Sequence, residues 1–132
     1  MGIIAITRED IDVAQLLKDA KDPRTGGIVI FVGTVRDDGM EAIEFESFDE
    51  VAISDMENIA KAATEKFSLN SVDIIHRNGL LKVEDTILVI VVGAGHRPEA
   101  FDGCRYILEE IKHYVPIWKK DISEGGKEHW HA

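Results

Sequence analysis

Five consecutive apolar residues, Leu88-Val89-Ile90-Val91-Val92, constrain this chain more than any other stretch. The run is too short to cross a membrane, so it reads as a strand buried on both faces. The chain leaves it through Gly93-Ala94-Gly95-His96-Arg97-Pro98. Pro98 suits the first turn of a helix, where its missing N–H costs nothing, and Glu99 is favourable at the positive end of the helix dipole. Phe101, Cys104, Ile107 or Leu108, Ile111 and Val115 then recur at helical spacing as one apolar stripe, and Pro116 ends the helix.

A strand that feeds a helix N-terminus through two glycines leaves backbone N–H groups unpaired and outward, a ready site for an anion. His96 and Arg97 sit at that corner. Arginine offers a planar fork matched to phosphate or carboxylate, and histidine donates hydrogen bonds or shuttles protons near neutral pH. The bland alternative is a solvated helix-entry charge beside a turn residue. Gly93-x-Gly95 is no dinucleotide fingerprint, because Pro98 stands at the third glycine. Beyond the helix, Pro116-Ile117-Trp118-Lys119-Lys120 places two cations where the negative end of the dipole favours them, whether or not they do chemistry.

At 132 residues the chain is expected to form one domain, 1–132, burying roughly two-thirds of its unfolded surface. Its one cysteine, Cys104, excludes an internal disulfide and reads as a small buried hydrophobe, which fits a reducing, cytoplasmic setting. Gly2-Ile3-Ile4-Ala5-Ile6 runs straight into Thr7-Arg8-Glu9-Asp10 and does not read as a secretory leader. A formal net charge of −10 argues against nucleic acid and anionic membrane as partners. Against that background the basic residues at Arg36, His96-Arg97, Lys119-Lys120 and Lys127 stand beside glycines or aromatics. Folding that gathers them gives an acidic protein one cationic pocket.

Along the chain, 2–6 reads as an edge strand, and Ile11, Ala14, Leu16 or Leu17 and Ala20 trace a short helix capped by Thr7 or Asp10. Residues 28–32 read as a central strand that empties into Gly33-Thr34-Val35-Arg36-Asp37-Asp38-Gly39. Arg36 there is either an anion ligand or the partner of Asp37, Asp38 or Glu41. Residues 42–48 alternate apolar and polar as a half-buried strand, and Val51, Met56, Ile59, Ala60, Ala63 and Phe67 mark a helix over about 50–66. Residues 72–76 form a further strand. Asn78-Gly79 is a strong turn signal, and a meander through 80–83 leads back to the strand at 86–92. His76-Arg77 before the turn reads as structural more readily than functional. The tail from Ser123 is flexible by composition up to Trp130, and His129-x-His131 is too small a donor set for a zinc site, so no metal and no cofactor is expected.

Four separated motifs, Val32-Gly33-Thr34-Val35-Arg36, His76-Arg77-Asn78-Gly79, His96-Arg97-Pro98-Glu99-Ala100-Phe101 and Pro116-Ile117-Trp118-Lys119-Lys120, together resemble the large, catalytic subunit of molybdopterin synthase, the MoaE family. The resemblance runs from the first helix to Trp130. It implies an α+β fold of the α/β-hammerhead type, with a mixed, mainly antiparallel sheet and about three helices. It also implies a homodimer within a heterotetramer, with a small ubiquitin-like sulfur-carrier subunit at each end whose C-terminal Gly-Gly thiocarboxylate enters a pocket. Sulfur from that tail converts cyclic pyranopterin monophosphate to molybdopterin, a sulfurtransferase reaction. Carried across residue by residue, Lys119 matches the catalytic lysine and Lys127 a second functional lysine. Arg36, His96, Arg97 and Lys120 fall to the substrate pocket, which in this family is built across the dimer.

Three positions depart from the family's usual pattern: the short acidic loop Asp37-Asp38-Gly39, Phe48 in place of tyrosine, and Asp121 in place of glutamate. A competing reading of the same residues is a non-catalytic dimeric module that binds an anionic ligand or a Gly-Gly tail. Phosphoryl chemistry at Gly95-His96-Arg97 ranks below both, for want of a Walker lysine loop and an acidic metal cluster.

Overall fold

The computed structural model describes residues 2–123 and 128–131. Its elements run β1 (Ile4–Thr7), α1 (Val13–Ala20), β2 (Gly27–Thr34), β3 (Met40–Ser47), α2 (Asp49–Phe67), β4 (Leu69–Arg77), β5 (Gly79–Lys82), β6 (Thr86–Ala94), α3 (Arg97–Tyr114), β7 (Ile117–Ser123) and β8 (Glu128–His131). They form an α+β fold with two four-stranded sheets where the sequence suggested one. The first has the order β1-β4-β6-β2, the second β5-β3-β7-β8. Among the described residues only the β1–β4 pairing is parallel.

The apolar run at 88–92 is the middle of β6, an inner strand with Val89, Ile90, Val91 and Val92 wholly buried. Its alternate residues face two different layers. Leu88, Ile90 and Val92 join Val72 and Ile74 of β4 against α2 and α3, while Val89 and Val91 join Ile75 against α1. Burial of side chains of this size stabilises by about 1.5–3 kcal/mol each relative to exposure, which makes β6 the axis of the core. The third cluster, Val35, Phe45 and Leu81, lies on the inner face of the second sheet.

Several expectations change. The strand at 28–32 is an edge strand of the first sheet, its residues only partly buried and Val32 exposed. A β-branched run signals a strand but carries nothing about its neighbours on either side. The expected meander is absent, because β4 pairs directly with β6 while β5 pairs with β3 in the other sheet. Asn78-Gly79 therefore makes a crossing between sheets, with Gly79 at φ +102°. Asp12 caps α1, accepting from the Gln15 N–H at 3.0 Å, in place of Thr7 or Asp10. Lys119 and Lys120, expected just beyond a helix end, lie there on strand β7, and the tail residues 128–131 form β8 against β7 in place of a flexible segment.

Candidate functional site

One cavity of about 480 Å³ opens where the two sheets and the C-terminal half of α3 meet. Its walls can be built from two hydrogen-bonded rows. In the first sheet His76 pairs with Leu88, and Leu88 with Gly33. In the second sheet Gly79 pairs with Phe45, and Phe45 with Lys119. The rows face one another, since the Phe45 ring meets the His76 ring edge-on at 5.5 Å. Leu108, Ile111 and Lys112 of α3, with Val115 at its C-cap, close the third side, while Phe31 and Ile87 complete an apolar lining.

Strand alternation decides which lysine of the pair faces this cavity. Lys119 shares the inner face of β7 with its cross-strand partner Phe45 and lines the cavity. Lys120 points to the outer face, where Nζ lies 3.6 Å from Glu44, 3.3 Å from Glu128 and 4.8 Å from the centre of the Trp130 ring. Burial pushes its pKa down, but the hydrogen bonds and charges of Glu128 and Glu44 outweigh that and hold it above the ordinary lysine value. Lys120 is thus satisfied by its own chain, away from the cavity.

His76 is the buried titratable group of the site, with 5% of its surface exposed. Burial, partly countered by hydrogen bonding to Asn78 and to the Arg77 backbone and reinforced by the like charge of Lys119, pulls its pKa down to about 4, so the imidazole is neutral at physiological pH. From sequence His76 reads as structural more readily than functional, because a histidine before a turn is ordinarily structural. Its burial and its place opposite Phe45 depend on the crossing between sheets, for which Asn78-Gly79 is the local sign.

The glycine corner stands elsewhere. His96 is the N-cap residue of α3, and His96 and Arg97 are both exposed. Arg97 precedes Lys112 by fifteen residues of continuous helix, roughly 22 Å at 1.5 Å per residue. Along β2, Gly27 pairs with Ala94 at the corner and Gly33 with Leu88 at the cavity, six residues or roughly 20 Å apart. The two cationic centres therefore occupy opposite ends of one protomer. Arg36 lies at the cavity end, just beyond β2, with its side chain 83% exposed and its Nε 3.0 Å from Asp38. Lys127 lies outside the described residues. Among those residues no group of three or more His, Cys, Asp or Glu is placed to hold a metal, and no helix is long and apolar enough to cross a membrane.

Comparison with known proteins places this geometry. The family model described as MoaE protein matches residues 6–114. A molybdopterin synthase catalytic subunit from Pyrococcus abyssi is 39% identical over 123 residues, covering 90% of this chain and 83% of the relative. The crystal structure of molybdopterin synthase from Staphylococcus aureus superposes with a TM-score of 0.92 at 32% identity, covering 98% of this chain and 96% of that one. A complex of subunits 1 and 2 of molybdopterin-converting factor from Helicobacter pylori shares the fold, with a TM-score of 0.81 at 23% identity over 96% of this chain and 88% of that one.

Proposed function

The chain belongs to the MoaE family, and from that premise we propose that it is the catalytic subunit of a molybdopterin synthase, an enzyme of molybdenum cofactor biosynthesis. The observation that carries the reading is the placement of Lys119 on the wall of a largely apolar cavity between the two sheets. Its substrates in this reading are cyclic pyranopterin monophosphate and the thiocarboxylated Gly-Gly C-terminus of a small ubiquitin-like partner, and its reaction is sulfur transfer. The thiocarboxylate sulfur bonds to a carbon of the pterin side chain, water then cleaves the acyl C–S bond, and the partner's C-terminus departs as a carboxylate while the sulfur stays on the pterin.

Every species on that path is anionic, so cations fixed on the wall of a largely apolar cavity stabilise the charge that develops as sulfur adds. Lys119 supplies the cation nearest the entering tail and a proton for the oxyanion that forms. Arg97, with the N-terminal N–H groups of α3, suits the phosphate, and Arg36 at the cavity rim and Lys127 are further candidates for anion contact. Because one protomer holds Lys119 and Arg97 at opposite ends, the working site joins two copies of the chain, as a homodimer within a heterotetramer. Lys120, held by Glu44 and Glu128, supports the strand that carries Lys119 and does not need to touch substrate.

The test combines the purified chain, a thiocarboxylated partner and cyclic pyranopterin monophosphate, and follows dithiolene product. Lys119→Ala is expected to lower turnover by at least about a hundredfold while the protein stays folded. Full turnover in that variant removes Lys119 from the mechanism, and partner binding without any turnover in the wild type turns the reading into a binding module.

A further inference from the structure

The side chains that line the cavity include three with polar groups: Lys119, Lys112 and His76. Two are cations and none is a carboxylate. His76 is therefore the one side-chain hydrogen-bond acceptor among the ionisable groups on this wall, and the way its ring is held decides whether it can act as one. A neutral imidazole carries a proton on one nitrogen and a lone pair on the other, and the partner of the first fixes the role of the second.

The neighbouring network orients that choice. Asn78, 2% exposed, donates from Nδ2 to Ser47 Oγ at 2.9 Å and to Asp49 Oδ1 at 3.2 Å. Ser47 Oγ spends its own proton on Asp49 Oδ1 at 2.9 Å, so towards Asn78 it accepts. Both contacts require the nitrogen of the Asn78 amide, which turns its oxygen the other way. Among the described residues, Asn78 Oδ1 and His76 Nδ1 are both fully enclosed and lack a hydrogen-bond partner. An amide oxygen and a ring nitrogen two residues apart are complementary when Nδ1 bears the proton, and a small turn of either side chain closes that bond; the Asn78 side chain and the Arg77 backbone both favour a proton on the ring. Burial and the like charge of Lys119 both oppose a second proton on the ring.

We propose that His76 is a positioning residue for Lys119: the network Asp49–Asn78 holds the imidazole as its Nδ1–H tautomer, and the Nε2 lone pair accepts a hydrogen bond from the Lys119 ammonium. The inference rests on Lys119 being the lysine that meets substrate. Phe45 sets the spacing, since it is the cross-strand partner of Lys119 on one side and packs edge-on against His76 on the other. Lys112 from α3 is the other charged group on the wall, and its repulsion favours an ammonium held towards His76. A flexible four-carbon side chain is thereby fixed for the entering tail, and its charged form is stabilised until an anion replaces the histidine as its partner.

Two measurements test this on the full chain. In protein labelled with nitrogen-15 at histidine, the wild-type His76 ring is expected to show a protonated Nδ1 and an unprotonated, hydrogen-bonded Nε2 at pH 7; a protonated Nε2 overturns the proposal. In protein labelled at lysine, with the Lys119 signal assigned by its loss in Lys119→Ala, His76→Leu is expected to move the Lys119 ammonium nitrogen signal and speed its proton exchange with water, because the bond to Nε2 is gone. In the complete enzyme the same variant should lower kcat by on the order of tenfold with little change in KM, and His76→Gln, which keeps an acceptor, should recover most of both effects. A folded His76→Leu protein with an unmoved Lys119 ammonium signal overturns the proposal. If the leucine variant fails to fold, the wild-type tautomer still decides. Failure of the catalytic reading is separate, because it shows as turnover retained in Lys119→Ala, whatever the tautomer of His76.

Discussion

Two buried residues carry opposite lessons about titration. His76 has its pKa pulled from 6.5 to about 4 by burial, so between those values the unfolded chain takes up a proton that the folded chain refuses. Stability is then complete above pH 6.5, falls as pH drops through that window, and is lost by up to about 3 kcal/mol near pH 4. Asp73, raised by burial and only partly restrained by the Ile3 N–H, works the other way, its cost disappearing as pH falls towards the carboxylate range. The informative quantity is therefore the difference between wild type and His76→Gln. Urea unfolding from pH 7.5 to 4.5 should show a shallower loss of stability in the variant, and parallel curves would contradict the assignment. Cys104 is the second case. Burial raises its thiol to about 11, so at neutral pH it is no thiolate and no carrier of sulfur. Cys104→Ala should keep turnover within about twofold and cost roughly 1–2 kcal/mol on thermal unfolding. A large loss of activity in a stable variant would show that sulfur passes over this residue. At this scale the sequence was informative about Cys104, whose place on an apolar stripe foretold its burial. It read His76 as structural more readily than functional, because the environment of His76 is assembled from β3, β4, β7 and α3 and leaves no local trace.

Elements were legible wherever periodicity alone defines them. The apolar run of β6 and the stripe of α3 stand where the pattern puts them, because burial on two faces and on one stripe leave distinct marks. Pairing was not legible: β2 proved an edge strand and β5 changed sheets, since strand partners are chosen by long-range packing that leaves no local trace. The lysine pair shows the functional cost of that gap. Only the register of β7 against β3, Lys119 with Phe45 and Lys120 with Glu44, turns one lysine in and the other out. The corner before α3 offers a sharper test of element packing. Gly26 donates its N–H to the Ala94 carbonyl at 2.9 Å, and a Cβ there would stand 2.3 Å from the Gly95 carbonyl oxygen. Backbone cannot swing aside as a side-chain tip can, so Gly26→Ala should destabilise the protein by about 1–3 kcal/mol. Amide shifts in the variant should concentrate at residues 93–98, and a loss below about 0.5 kcal/mol would mean that the corner is looser than its geometry implies.

The molecule as a whole has its two cationic centres roughly 20 Å apart within a protomer, at the two ends of β2 and α3. β2 is an edge strand with the exposed corner beside it, and a two-fold arrangement would bring the corner of one copy to the cavity of the other. That arrangement makes a quantitative demand on mixtures of inactive variants. Lys119→Ala spoils the cavity half of a site, and Arg97→Ala spoils the corner half. In a mixed dimer one site collects both lesions and the other collects neither. Equal amounts exchanged to equilibrium give half of the dimers mixed, each with one intact site of two, so about a quarter of wild-type turnover should return. The recovery should follow subunit exchange in time and vanish when both substitutions are placed in one chain and mixed with itself. If each protomer instead builds its site alone, no mixture of the two variants recovers activity, and Arg97 then acts at a distance from Lys119 that no single substrate phosphate can bridge.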